Sequence, residues 1–470
     1  MQKGLILGIA AAAVFATACS TDPLQVPNPN SPTVAGASAD PGALQLQATG
    51  ILRNFRGGLG GYITATARFG REGYIYTPNE GRNTSHYLIG LAGQNRLDPT
   101  GFATGVWGGN YGNLRDIFNF KNVVDGSTTL TAAQKSAANG FARTIEATEL
   151  LYVISTRDTL GAVVQINLNG SQLSPFVSRD SVYRYILGTL DQADTELAAG
   201  GAAFPFVLHS GFAGFNTPTT FRQFNRAIKA RAAVYFATRG GGNAQYAVAA
   251  TALAASFINT AAANAAAMNA GPFHVYSTAT GDAQNGVGQN ADYLVHPSYA
   301  TDIVAGDLRA SKWTVLGTAR NAPQGLGIPT NLSMNRYATN SSPVPIIRNE
   351  ELLLLDAEIR WFTGDKVNAI ARLNTVRSVS GGGAIGASAA TAASTDPAFI
   401  DALLYERRFS LLSEGHRWVD HRRFGRLAAL PLDLTTGTNA HFVAVVMPVP
   451  QGECLVRARA NDPALAGPGC

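Results

Sequence analysis

Between Glu351 and Asp420 the chain gathers Glu351, Glu358, Glu406, Arg407, Glu414, Arg417 and Asp420, although charged residues make up only 14% of the whole. Two chemistries suit such a set. Carboxylates flanking a cleft can act as acid and as nucleophile or base in glycoside hydrolysis. Guanidinium–carboxylate pairs can instead join helices, because the planar fork of arginine matches a carboxylate bidentately. Arg407 lies seven, four and three residues after Ile400, Leu403 and Leu404 and four before Leu411, which places it on one helical face with them. A guanidinium among leucines must be paired. Glu351, Glu358, Glu406, Glu414 and Asp420 are the available carboxylates, and the pattern favours a structural ion-pair cluster.

A second chemistry needs aromatic faces laid against the C–H faces of sugar rings, with amides or charges beside them for the hydroxyls. Two stretches lack sustained periodicity and are rich in aromatics, 56–112 and 270–344. Long irregular segments are uncommon in compact folds and often functional. Trp107, Tyr74 and Tyr76 in the first and Trp313, Tyr293 and Tyr337 in the second are the candidate ligand-binding rings, with Asn110 and Arg82 as polar partners. Other chemistry is poorly represented. There is no GxSxG elbow and no GxxxxGK[ST] phosphate loop. The seven His are scattered without CxxC or HxxxH spacing, so neither a metal nor another cofactor is expected. The net charge of +5 is spread along the chain with no Lys/Arg block, which argues against a nucleic-acid partner.

The N-terminus has a basic start at Lys3, an apolar run from Gly4 to Ala18, and Ala16-Thr-Ala-Cys19. About 20 apolar residues are needed to span a bilayer, so residues 1–18 read as a signal peptide rather than an anchor helix. Cys19 directly after small residues resembles a bacterial lipobox and is the expected lipidation site. Residues 19–42 are polar, rich in Pro and Asn, and read as a tether. In an exported chain the two other cysteines, Cys454 and Cys470, invite a disulfide, which in the chain-entropy model contributes roughly 3 kcal/mol.

The elements that position these groups are mostly helical. Apolar residues at helical spacing recur in 43–55, 107–126, 132–161, 178–200, 219–241 and 243–260, and small residues alternating with large ones suit close antiparallel packing. The pattern suggests tetratricopeptide-like helix pairs, without a strict repeat period. Helices return after Arg348, with Asp365 as the N-cap of one and Asp396-Pro397 as N-cap and first-turn proline of another.

The assembled pieces resemble the SusD/RagB family of outer-membrane nutrient-binding lipoproteins. Trp107, Tyr111, Ile117 and Asn122 match W-x3-Y-x5-I-x4-N. RNEELLLLDAEIRWFTGD and AIARLNTVRS match the R-x-x-E-x-x-L-x-x-A-E helix and its partner. ERRFSLLSEGHRWVDHRRFG matches ERR-x5-E-G-x-R-W-x-D-x-x-R, and VVMPVPQGE and NDPALAGPG match the family's endings. The resemblance implies a mainly α SusD-like domain over 43–470, with its signature in 344–470: tetratricopeptide-like helix pairs plus a loop-rich ligand-binding region. It implies no catalysis. The protein would sit lipid-anchored on the outer membrane, exposed at the surface. It would bind oligosaccharide or peptide and deliver it to a SusC-like TonB-dependent transporter. An exported glycoside hydrolase and a non-binding helical scaffold are the alternatives.

Overall fold

The structure is a computed structural model that describes residues 41–460 apart from 92–93, 168, 170–171 and 289. The segments expected to be a signal peptide and, up to residue 40, a tether, together with Cys19 and Cys470, lie outside the described residues. Helices dominate. A run of α1 (Pro41–Gly57), α2 (Leu59–Phe69), α3 (Gly108–Gly126), α4 (Ala132–Arg157), α5 (Arg179–Ala198), α6 (Pro218–Phe236) and α7 (Ala244–Ala254) is followed, after a sheet-bearing insert, by α8 (Asn349–Phe362), α9 (Lys366–Ser380), α10 (Asp396–Ser410), α11 (Arg417–Arg423) and α12 (Gln451–Arg459).

From α3 to α9 each helix packs on the next, as stacked helix pairs do. Local chemistry fixes their starts. Thr131 with Gln134, and Thr217 with Thr220 and Pro218, form capping boxes at α4 and α6. Close packing is fixed by small residues. A Cβ on Gly140 would lie 2.6 Å from the Leu197 side chain, so α4 and α5 approach at a distance only glycine permits. Asp365 caps α9. Thr395, not Asp396, caps α10, and Asp396 instead accepts the Trp361 indole N–H at 2.9 Å.

The two irregular stretches are more ordered than their composition predicts. The first contains α2. Together they build an antiparallel sheet in the order β1–β3–β5–β4, from β1 (Gly73–Ile75), β3 (Tyr293–Val295), β4 (Trp313–Arg320) and β5 (Thr330–Met334). Tyr74 faces Leu294, and Trp313 faces Met334. A second pair joins β2 (Phe273–His274) to β6 (Val344–Pro345). Strands of two to eight residues are too short to show an alternating signature in a Gly- and Asn-rich background. Their partners lie far away in sequence, which is why periodicity alone misses them.

Candidate functional site

The charged C-terminal residues form an interior lattice. Arg407 Nε donates to Asp420 Oδ2 at 2.7 Å, and Asp420 Oδ1 accepts Arg423 Nε at 2.9 Å. Arg423 then clamps Glu358 with two bonds of 2.5 and 2.6 Å, and Tyr246 adds a third. The other carboxylates find partners outside the predicted set. Glu351 is held by Arg231 of α6 at 2.5 and 2.7 Å; Glu406 by Arg309 at 2.6 Å and Arg377 at 2.8 Å; Glu414 by Arg348 at 2.9 Å. Among the described residues Arg407 therefore forms an ion pair with Asp420 alone rather than with the whole acidic set. Burial by itself would raise these acids. Arg407 and Arg423 outweigh it at Asp420, and Arg231 and His416 at Glu351, holding both carboxyls down at about 2. Carboxylates so buried and clamped do not face a cleft in which a glycosidic bond could lie.

Arg417 departs from the expected role. Its Nε donates to the Gly70 carbonyl at 2.7 Å, and among the described residues no carboxylate lies within ion-pair distance of it. The turn that separates it from α10 runs through Ser413 and Gly415 at φ +56° and +86°, and a Cβ on Gly415 would lie 2.3 Å from the Tyr62 ring. Only glycine satisfies both the left-handed backbone and that contact.

The six candidate rings are all buried, which removes them as sugar platforms. Their polar ends are used internally. Tyr74 donates to Asp433 at 2.5 Å, Tyr76 to the Ile328 carbonyl at 2.9 Å and Tyr337 to the Ser413 carbonyl at 3.2 Å, and Tyr293 bonds the Ser413 hydroxyl at 2.8 Å. Trp107 stacks on Phe176 at 5.6 Å, and Trp313 meets Tyr299 edge-on at 5.9 Å. For Tyr74, Tyr293 and Trp313 the cause is the sheet that holds them. β4 buries Trp313 at its start and exposes most of its later residues. Asn110 is likewise committed, its amide donating to Glu149 at 2.7 Å. Asn113 holds the other oxygen at 2.6 Å, and burial pushes the Glu149 carboxyl up to about 8.

One candidate remains at the surface. Arg82 is exposed, clamped by Glu80 through bonds of 2.7 and 2.5 Å, with its guanidinium 4.6 Å from the centre of the Phe102 ring. Phe102 is 42% exposed and is the one exposed aromatic ring of phenylalanine or tryptophan among the described residues. His86 meets it edge-on at 5.1 Å and accepts its backbone N–H at 3.1 Å. Asp98 fixes the turn before it by accepting the Thr100 N–H and hydroxyl at 2.8 and 2.7 Å. Phe102 lies within the first aromatic stretch but is not among the rings selected from it. The Asp-Pro-Thr-Gly turn before it, which lifts the ring outward, was the available signal. Among the described residues no cluster of His, Cys, Asp or Glu is arranged for a metal, and no helix is long and apolar enough to cross a membrane.

Comparison with known proteins bears on this arrangement. The sequence model of the SusD family matches residues 235–453, the stretch that holds most of the lattice. This region is similar to the SusD family. The SusD-like fold extends over nearly all the chain. NanU of B. fragilis superposes with a TM-score of 0.68 at 14% identity, over 94% of this chain and 99% of that one. Surface glycan-binding protein A from Bacteroides thetaiotaomicron, solved with laminarihexaose, gives 0.66 at 12% identity over 91% and 99%. A SusD-superfamily protein from Bacteroides fragilis gives 0.60 at 13% over 90% and 98%. No curated protein matches in sequence. Cys454 is disulfide-bonded, and the only other cysteines, Cys19 and Cys470, lie outside the described residues.

Proposed function

We propose that the protein is a cell-surface lipoprotein that binds oligosaccharide and passes it to a SusC-like TonB-dependent transporter of the outer membrane. The SusD-family match over residues 235–453 carries the reading. The fold shared with a protein solved on laminarihexaose is consistent with it. The chemistry at the surface supports it further. Phe102 offers a ring, and Arg82, Glu80 and His86 offer donors and acceptors at its margin, the combination that sugar recognition requires. The role is binding rather than catalysis, since the carboxylates of the C-terminal region are tied to guanidiniums in the interior. In this reading residues 1–18 are removed, Cys19 carries the lipid, and Cys454 pairs with Cys470.

The test is titration calorimetry of the purified protein against a panel of neutral oligosaccharides and peptides. Phe102→Ala is expected to weaken the glycan bound by the wild type about tenfold or more, roughly the value of one ring contact, with no change in melting temperature. Unchanged affinity removes Phe102 from the site. Solubilised membranes in which this protein brings down no β-barrel transporter would count against the delivery role.

A further inference from the structure

A second opening, sharing no lining residue with the Phe102 surface, lies where α10, α11 and the segment around Ser298 meet. It is a pocket of about 500 Å³ lined by Arg408, Arg417, Arg426, Asp302, Asp401 and Tyr405 among others. That volume falls in the range of small-molecule sites and accommodates one or two sugar rings. Three guanidiniums face two carboxylates, so the lining carries a net positive charge. His421 does not alter it, because burial, and then Arg417, push its imidazole down to about 4.

The guanidiniums are unequally committed. Arg408 is used, donating to Asp302 and to the Ser298 hydroxyl at 2.7 Å each. Arg426 reaches Asp401 only at 3.4 Å, and its Nε is buried without a hydrogen-bond partner. Arg417, 8% exposed, has its Nε on the Gly70 carbonyl and no carboxylate within ion-pair distance among the described residues. The carboxylate that acts on it, Glu72, is pushed up to about 7 by burial and so carries a reduced charge near neutrality. A buried guanidinium that is not neutralised from within is costly. A guanidinium lining a pocket is open to neutralisation by a ligand, and the planar fork favours a carboxylate.

We propose that this pocket binds an acidic saccharide through its carboxylate. Arg417 takes the carboxylate and Arg426 supports it. Asp302 and Asp401 accept from ring hydroxyls, and the half-buried Tyr405 forms part of the wall. The site is separate from Phe102, so it stands or falls independently of the neutral-glycan reading.

The experiment is titration of the full mature protein with glucuronate-containing disaccharides, with the matching glucose disaccharide, and with acetate and phosphate. The acidic disaccharide is expected to bind at least tenfold more tightly than the neutral one and than either simple anion. Arg417→Gln is expected to remove that preference while leaving binding at Phe102 intact. Because Arg417 also holds Gly70, Arg426→Ala serves as the second variant, with a several-fold loss for the acidic ligand only. Phe102→Ala should leave the acidic ligand's affinity unchanged. Equal binding of acidic and neutral disaccharides overturns the proposal. So does an acidic ligand held as tightly by folded Arg417→Gln and Arg426→Ala as by wild type, or no tighter than acetate or phosphate.

Discussion

Arg407 and Arg408 are neighbours on α10 and are put to opposite uses. Arg407 points inward to Asp420, and both side chains are almost wholly buried. Arg408 points outward to Asp302, whose side chain is half exposed, at the rim of the pocket that Arg417 also lines. The same contrast divides the carboxylates. Glu351 and Asp420 of the lattice meet guanidiniums and are held low, whereas Glu149 meets only amides among the described residues and is pushed high. Residue type does not decide whether a charge serves the fold or the surface. The deciding quantity is how many opposite charges the neighbouring elements bring within bonding distance.

The strongest way to break the inward half is Arg423→Met. Among the described residues Arg423 alone bridges Glu358 and Asp420, so its loss leaves Glu358 with Tyr246 as its one remaining described partner. Removing one partner of a buried pair costs about 3–5 kcal/mol, and urea unfolding should register that loss. Adding Glu358→Leu to the same chain should recover much of it, since Asp420 keeps Arg407 and no stranded carboxylate remains. A double variant no more stable than the single would mean that packing of the Arg423 stem, not charge pairing, holds these helices together.

Legibility in the sequence divides along the same line. The acidic members of the lattice could be read, because charges in apolar helices are conspicuous. Their partners could not: Arg231 reaches Glu351 across 120 residues and Arg309 reaches Glu406 across 97, and no local pattern encodes such a meeting. Helix positions were legible where caps and periodicity act locally, as at Asp365. The fate of the aromatic rings was not. Burial of Trp313 and Tyr74 depends on a sheet whose strands come from both irregular stretches, and Phe102 is exposed because a local turn lifts it clear.

Glu149 sharpens the comparison from the other side, as an inward carboxylate that among the described residues meets no cation. Its folded value of about 8 exceeds the ordinary 4.5, so the folded state holds the proton more tightly than the unfolded chain does. Its favourable contribution is complete below about pH 4.5 and is lost as pH rises to about 8. At about 1.4 kcal/mol for each pH unit separating the two values, the loss is on the order of 5 kcal/mol. Glu149→Gln keeps the shape without the proton and should flatten that limb. The variant's melting temperature should gain on wild type from pH 5 to pH 8. A gap constant across that range would show that Glu149 is ionised at both ends.

The smallest effect belongs to the rim. Arg408→Met gives up an ion pair that is open to solvent through the half-exposed Asp302, a bond to the Ser298 hydroxyl, and a guanidinium lying 4.6 Å from the Tyr299 ring centre. Exposed pairs contribute about 0–1 kcal/mol, and a cation over a ring adds roughly 0.5–1 kcal/mol. The expected loss is thus about 1 kcal/mol, several times smaller than at Arg423. Salt separates the two positions further. At 1 M the screening length falls to about 3 Å for exposed charges, while buried pairs are screened much less. The Arg408→Met deficit should therefore shrink as sodium chloride is raised in the unfolding assay, and the Arg423→Met deficit should persist. If both deficits shrank together, Arg407 and Arg423 would be reachable by solvent ions, and the boundary between lattice and rim would dissolve.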